Sequence, residues 1–345
     1  MPDHPFAAHR GRIELLEIES RNLDHNRLGD PTRRQVAVYL PEGIDASSHS
    51  LFPLMVDLAG FTGSGFSHLA WKSFAETLPQ RIDRLLDEGL MGPSIVAFPD
   101  CFTSLGGNQY VNSSVMGNWS SWLVDDMLPQ LISRFPILPE PAHRAVFGKS
   151  SGGYGALMQG MTNGEQWGAV ACHSGDMNFQ LCYQTDFPRV VLALQKSGGS
   201  IKDYLDKLVN RKTVRGHDMS ILMMLAMAAS YDPDPDSDYG IRLPVTLDTC
   251  ELIPQRWQNW LAWDPLALIE DEKVQVSLSR LNNLYIDCGS RDQYFLMFGA
   301  RALVKRLQAL GINHSYEEFE DNHSAIDYRM DLSLPNLYQS IKASS

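Results

Sequence analysis

With 345 residues, 44% of them hydrophobic and 20% charged, the chain is long and apolar enough to bury a substantial core, as one enlarged domain or about two ordinary ones. Its net charge of -12 at pH 7 argues against a nucleic-acid partner, because phosphate binding needs a basic surface and no run of Lys/Arg supplies one. No secretory signal is legible in MPDHPFAAHRGRIELLEIES, and the longest apolar run, Ile221 to Ala229, is too short to cross a bilayer, so a cytoplasmic protein with no membrane partner is expected.

In chain order, β-rich runs at Ile13 to Glu19, Gln35 to Leu40 and Leu54 to Leu58 read as the first strands. A glycine-bearing loop, LAGFTGSG, follows the third. A helical pattern at His68 to Glu88 precedes a strand at Ser94 to Phe98, and another helix is expected over Trp119 to Phe135. Strands at Arg144 to Phe147 and Ala169 to His173 then bracket a helix at Gly153 to Thr162. After a long interruption come a strand at Leu284 to Asp287, a helix at Phe295 to Leu310 and a strand at Ser315 to Phe319. That alternation predicts an α/β fold with a largely parallel sheet and an antiparallel start, in which ligands gather at the carboxyl ends of the strands.

The interruption divides the chain into a core of residues 1–174 and 274–345 and an insertion, 175–273, expected to cap the working edge of the sheet. Within it, YDPDPDSDYG lacks the glycine and terminal glutamate of a calcium loop and reads as an exposed, proline-stiffened acidic loop. The stretch Met219 to Met227 reads as a buried helix, with the lining of an acyl pocket or a partner surface as the alternatives. Five cysteines, scattered and without a CxxC pair, suggest neither a disulfide framework nor a zinc site, and no metal is expected.

The chemistry concentrates in AVFGKSSGGYGALMQG, residues 145–160. It is no phosphate loop, since no glycine stands five positions before Gly148. It does match GxSxG, which raises the hydroxyl of Ser150 on a strained strand-to-helix turn; Gly148 and Gly152 stand where larger residues would collide. Were Ser151 the nucleophile, Lys149 would occupy the place of the earlier glycine. A serine hydroxyl is a weak nucleophile and needs a histidine base, which in turn needs an orienting acid. Of the histidines after Ser150, His323 lies just past the carboxyl end of the last strand, whereas His314 lies at its amino end. His173 fits a pocket wall or a cap better than a base. For the acid, Asp292 in the loop beyond Leu284 to Asp287 is favoured, with Asp287 the runner-up because it lies inside the strand. The backbone N–H of Ser151 supplies one oxyanion donor by position, and the loop after the third strand supplies the other, at Phe61 with Gly60 next. Lys149 reads as a surface lysine beside the nucleophile, with recognition of an anionic group as the alternative.

Taken together, VYLPEG, LAGFTGSG, FPDCFTSLGGNQYVNS, GKSSGGYGAL, IDCGSRDQYF and DNHS make the chain resemble the "Putative esterase" family of α/β-hydrolases, which includes esterase D or S-formylglutathione hydrolase, enterochelin-esterase-like proteins and bacterial mycolyltransferases. The resemblance implies the α/β-hydrolase fold, a triad at Ser150, Asp292 and His323, and Gln109 and Tyr110 at the edge of the site. The expected function is therefore a serine esterase acting through an acyl-enzyme on a small-molecule ester, without a cofactor. An acyltransferase with the same triad and a non-catalytic binding protein of the same shape are the alternatives, and a homo-oligomer is compatible with any of them. A histidine base predicts activity that declines below about pH 6 to 7, as imidazole protonates.

Overall fold

A computed structural model describes residues 5–343. Its main sheet has eight strands: β1 Arg12–Glu19, β2 Arg33–Leu40, β3 Leu54–Leu58, β4 Ile95–Pro99, β5 Arg144–Lys149, β6 Ala169–His173, β7 Asn283–Gly289 and β8 Ser315–Phe319. Their spatial order is β1-β2-β4-β3-β5-β6-β7-β8; β2 pairs antiparallel with both neighbours and all later pairs are parallel. Every strand read from the sequence is present, within a few residues at each end.

The central strands are buried on both faces, as parallel strands covered by helices must be, and their side chains alternate between two cores. Val56, Leu58, Val146, Val170 and Ile286 belong to one, and Met55, Ala145, Phe147, Ala171 and Tyr285 to the other. The second core is closed by α1, Leu78–Asp87, and by the C-terminal helix, through Ile82, Leu85, Leu334 and Leu337. The expected helix at His68 to Glu88 is half its length, because Thr77 caps the true start: its side chain accepts from Gln80 N–H while the Gln80 side chain accepts from Thr77 N–H. On the first face lie α2, residues 119–134, and α3, Ser151–Thr162.

The insertion folds as α4 Phe187–Lys196, α5 Ile201–Val209, α6 Gly216–Tyr231 and α7 Pro254–Leu261. Its buried side chains, among them Phe187, Leu225 and Trp260, join the same continuous core as the first sheet face. A further helix, α8 Glu272–Ser279, straddles the expected boundary at residue 273 and reaches α3, where Leu278 meets Gly160. The acidic loop is not simply exposed: Arg256 pairs with Asp232 at 2.7 Å and with Asp234 at 2.6 Å, turning both inward. Two further long helices are α9, Leu296–Ala309, and α10, Met330–Ile341. No helix among the described residues is long and apolar enough to cross a membrane, and no group of His, Cys, Asp and Glu side chains among them could hold a metal ion.

Candidate active site

The turn between β5 and α3 fixes Ser150 at φ 60° and ψ -127°, a conformation that L residues rarely adopt and that lifts the side chain off the end of the strand. Two backbone hydrogen bonds hold it: Ser150 N–H donates to the His173 carbonyl at 2.9 Å, and the Ser150 carbonyl accepts from Tyr154 N–H at 2.8 Å. The turn closes only because its neighbours lack side chains. A Cβ on Gly152 would lie 1.8 Å from the Leu58 carbonyl oxygen, and one on Gly148 would lie 2.4 Å from the same atom.

Past β7 and β8 the chain brings the acid and the base together. His323 Nδ1 lies 2.7 Å from Asp292 Oδ2, in a pair whose carboxylate is buried and whose ring is mostly so. Asp292 Oδ1 accepts from Tyr294 N–H at 2.8 Å, and His323 N–H donates to Gln293 Oε1 at 3.0 Å, so the loop after β7 grips both partners. The Tyr294 ring meets the imidazole edge-on at 4.9 Å. Ser150 and His323 line one cavity of about 450 Å³. No hydrogen bond among the described residues joins the two; in substrate-free sites such bonds are often long and tighten only with substrate.

Gly60 and Phe61, at the end of β3, line the same cavity. Gly107 N–H donates to the Phe61 carbonyl at 2.6 Å, which fixes the turn, while the Phe61 N–H has no acceptor among the described residues. Ser151 N–H heads α3, where the first turn has no intrahelical acceptors. The Ser151 hydroxyl is buried and accepts from Gln109 Nε2 at 3.1 Å. Gln109 and Tyr110 do not line the cavity, contrary to their expected place at its edge. They stand behind it, with Tyr110 OH donating to the Ala59 carbonyl at 2.6 Å and its ring filling the space left by Gly155.

His173 is also not a pocket wall. Its side chain points to the opposite face of the sheet, where Nδ1 meets Asp287 Oδ1 at 2.8 Å and Nε2 meets Ser333 Oγ of α10 at 2.9 Å. The other oxygen of Asp287 accepts from Arg329 Nε at 3.0 Å and from Tyr285 OH at 3.1 Å. This fully buried set binds α10 to the sheet, and it occupies the runner-up acid completely. Lys149 lines the cavity, but its ammonium is held by Asp327 Oδ1 at 3.2 Å. Lys72 takes Asp327 Oδ2 at 2.7 Å. Burial alone would raise the Asp327 carboxyl, but Lys149 and Lys72 outweigh it and hold the group well below the usual carboxylate range.

The insertion and α9 add Met219, Met223 and Met224 of α6, Tyr183, Asp186 and Leu296 to the lining. The stretch is thus both a buried helix, through Met224 and Met227, and a pocket lining, through Met219, Met223 and Met224. One residue was not anticipated. Asp176, just beyond the carboxyl end of β6, is buried and lines the cavity, and its Oδ2 accepts from Tyr183 OH at 2.7 Å and Gln109 Nε2 at 3.2 Å. The signal that could have found it is position, since SGD follows directly on a strand whose carboxyl end faces the site.

A family model described as "Putative esterase" matches residues 28–334. Among solved structures, a ferulic acid esterase is 16% identical, with 96% of this chain and 99% of that one covered and a TM-score of 0.61. An S-formylglutathione hydrolase from Agrobacterium tumefaciens is 16% identical over 97% of each chain, at a TM-score of 0.57. The S-formylglutathione hydrolase of Staphylococcus aureus is 13% identical, covering 96% of this chain and 98% of its own, at 0.55. No curated protein matches the sequence. At these identities the structural likeness is one of fold, and that fold is the α/β-hydrolase fold.

Proposed function

Because the chain belongs to the "Putative esterase" family, we propose that it is a serine carboxylic-ester hydrolase that works through an acyl-enzyme on Ser150. The observation that carries the reading is the convergence, on one cavity, of a serine held at φ 60° on a strand-to-helix turn and a histidine bonded to a buried aspartate at 2.7 Å. Asp292 fixes the tautomer of His323 with the proton on Nδ1, which leaves Nε2 as the base. His323 takes the Ser150 proton as the oxygen attacks the ester carbonyl, and the N–H groups of Phe61 and Ser151 hold the developing oxyanion. The same imidazole then protonates the departing alcohol. Water, deprotonated by His323, attacks the acyl-enzyme, and the returning proton frees Ser150 with release of the acid. No step requires a metal or an organic cofactor. The insertion caps the site and shapes the substrate pocket.

A serine-directed phosphonate, together with turnover of short p-nitrophenyl esters, tests the reading. Labelling of Ser150 and loss of turnover in Ser150→Ala are expected, the latter on the order of 10⁶-fold as in comparable triads. Neither labelling nor turnover would indicate a binding protein of the same shape. Acyl transfer to an added alcohol in excess of hydrolysis would replace the hydrolase by an acyltransferase.

A further inference from the structure

The catalytic cavity holds a buried carboxylate, that of Asp176, for which the acyl-enzyme route has no task. Asp176 is 3% exposed. Both of its hydrogen bonds, from Tyr183 OH and Gln109 Nε2, fall on Oδ2, so Oδ1 is left without a partner among the described residues. Oδ1 is also absent from the fully enclosed polar atoms that lack a partner, which leaves the cavity Asp176 lines as the place it faces. No cation among the described residues pairs with this carboxylate. Burying an unpaired charge is costly, and accordingly burial pushes the Asp176 carboxyl up, against the pull of Tyr183, His323 and Gln109.

The surroundings do not supply the missing partner. The cavity's one lysine, Lys149, is already matched by Asp327. Asp186 adds a second carboxylate to the lining, and its 3.3 Å contact with Arg189 is to a guanidinium that is 79% exposed. Tyr183 and Tyr294 also line the cavity, and aromatic faces attract cations. An acceptor oxygen, a surplus of negative charge and aromatic walls together describe a subsite for a positively charged hydrogen-bond donor.

We propose that Asp176 is the specificity-determining residue of the cavity, and that the enzyme prefers esters carrying a primary ammonium group, which donates to Asp176 Oδ1, over neutral or anionic esters of the same shape. The proposal rests on the reading of Ser150 as nucleophile. It reverses the alternative of an anion-binding Lys149.

The test uses para-substituted phenyl acetates bearing aminomethyl, ethyl, hydroxymethyl or carboxymethyl groups, and the matching p-nitrophenyl benzoates, so that both the alcohol and the acyl side are sampled. In at least one set, kcat/KM for the ammonium ester should exceed that for the ethyl ester by about tenfold or more, the scale of a charge-assisted hydrogen bond. The carboxylate ester should be the poorest. In Asp176→Asn the amide oxygen can still accept from Tyr183 and Gln109 while its NH₂ faces the cavity, and the ammonium-to-ethyl ratio should fall close to one. Asp176→Ser is the second variant. Because the readout is a ratio within one sample, a misfolded fraction cancels.

Equal kcat/KM for ammonium and ethyl esters in both sets, or an unchanged ratio in the variants, would overturn the proposal. So would a uniform loss over all esters, which would make Asp176 a support for Gln109 and Tyr183 only. Preference for the hydroxymethyl ester over the ammonium ester would replace the cation by a neutral donor. These outcomes leave the esterase reading standing. Absence of turnover with every ester, and of phosphonate label on Ser150, would sink that reading and this one with it.

Discussion

At Gly152 a single methyl group decides whether the turn can exist, since it would sit 1.8 Å from the Leu58 carbonyl, which belongs to β3 and cannot swing aside. Gly152→Ala is therefore expected to abolish esterase activity and to lower the melting temperature measurably by calorimetry. Two other substitutions separate chemistry from architecture. Ser333→Ala leaves His173 Nε2 buried without a partner, which costs on the order of 1–3 kcal/mol of stability, while kcat on p-nitrophenyl acetate should stay within a few-fold of wild type. His323→Ala should do the reverse, with kcat collapsing and the melting temperature little changed. If Ser333→Ala silenced the enzyme and His323→Ala did not, the assignment of the base would be wrong. The Ser150 turn and the pairing of His323 with Asp292 were legible because the glycine register and strand polarity single those residues out. Asp176 was not, because a carboxylate that serves neither as ligand nor as acid has no spacing to betray it.

Between elements, the contact that ties the site together is Lys149–Asp327–Lys72. It joins the end of β5 to the loop that follows His323 and to the segment ahead of α1. An aspartate whose folded pKa lies below its unfolded value contributes stability above the unfolded pKa, and that contribution disappears as pH falls through the folded one. Asp327→Asn should accordingly be destabilised at pH 7, and its deficit against wild type should shrink on acidification below about pH 4, where the unfolded carboxyl begins to protonate. Urea unfolding at a series of pH values checks this; a deficit independent of pH would show that the ion pairs are not its source. Nothing near Lys149 in the chain foretells this partner, 178 residues away. The strands were legible because they are continuous apolar or alternating runs. Helix α10 was not anticipated: Pro335 stands in its interior, where proline ordinarily ends a helical pattern, and packing of Leu334 and Leu337 against the sheet overrides that signal.

On the scale of the molecule, the candidate site is a space between two parts of the chain that fold into one core: Ser150 and His323 at the carboxyl edge of the sheet and Met219, Met223 and Met224 of α6 line the same cavity. Substrate size should therefore be read out at the insertion. Met223→Trp is expected to raise KM in proportion to the bulk of the ester, benzoates before acetates, as the indole takes up part of the roughly 450 Å³ cavity; an equal effect on both would point to disturbed catalysis instead. The alternation of strands and helices made the sheet and its working edge legible, whereas the insertion's partition between core and pocket was not, because α6 is apolar all round and its sequence does not say which side stays open.

The buried Ser333–His173–Asp287 set carries a last consequence. It repeats the residue types and hydrogen-bond order of a hydrolytic triad, with both distances below 3 Å, yet it is buried between α10 and the sheet, and Arg329 and Tyr285 also hold its carboxylate. The chain thus holds two sets of Ser, His and Asp, and access separates them: Ser150 and His323 line a cavity, whereas Ser333 and His173 are enclosed. Covalent inhibitors should count the difference: one phosphonyl group per native chain, recovered on the peptide that contains Ser150 and never on the one that contains Ser333.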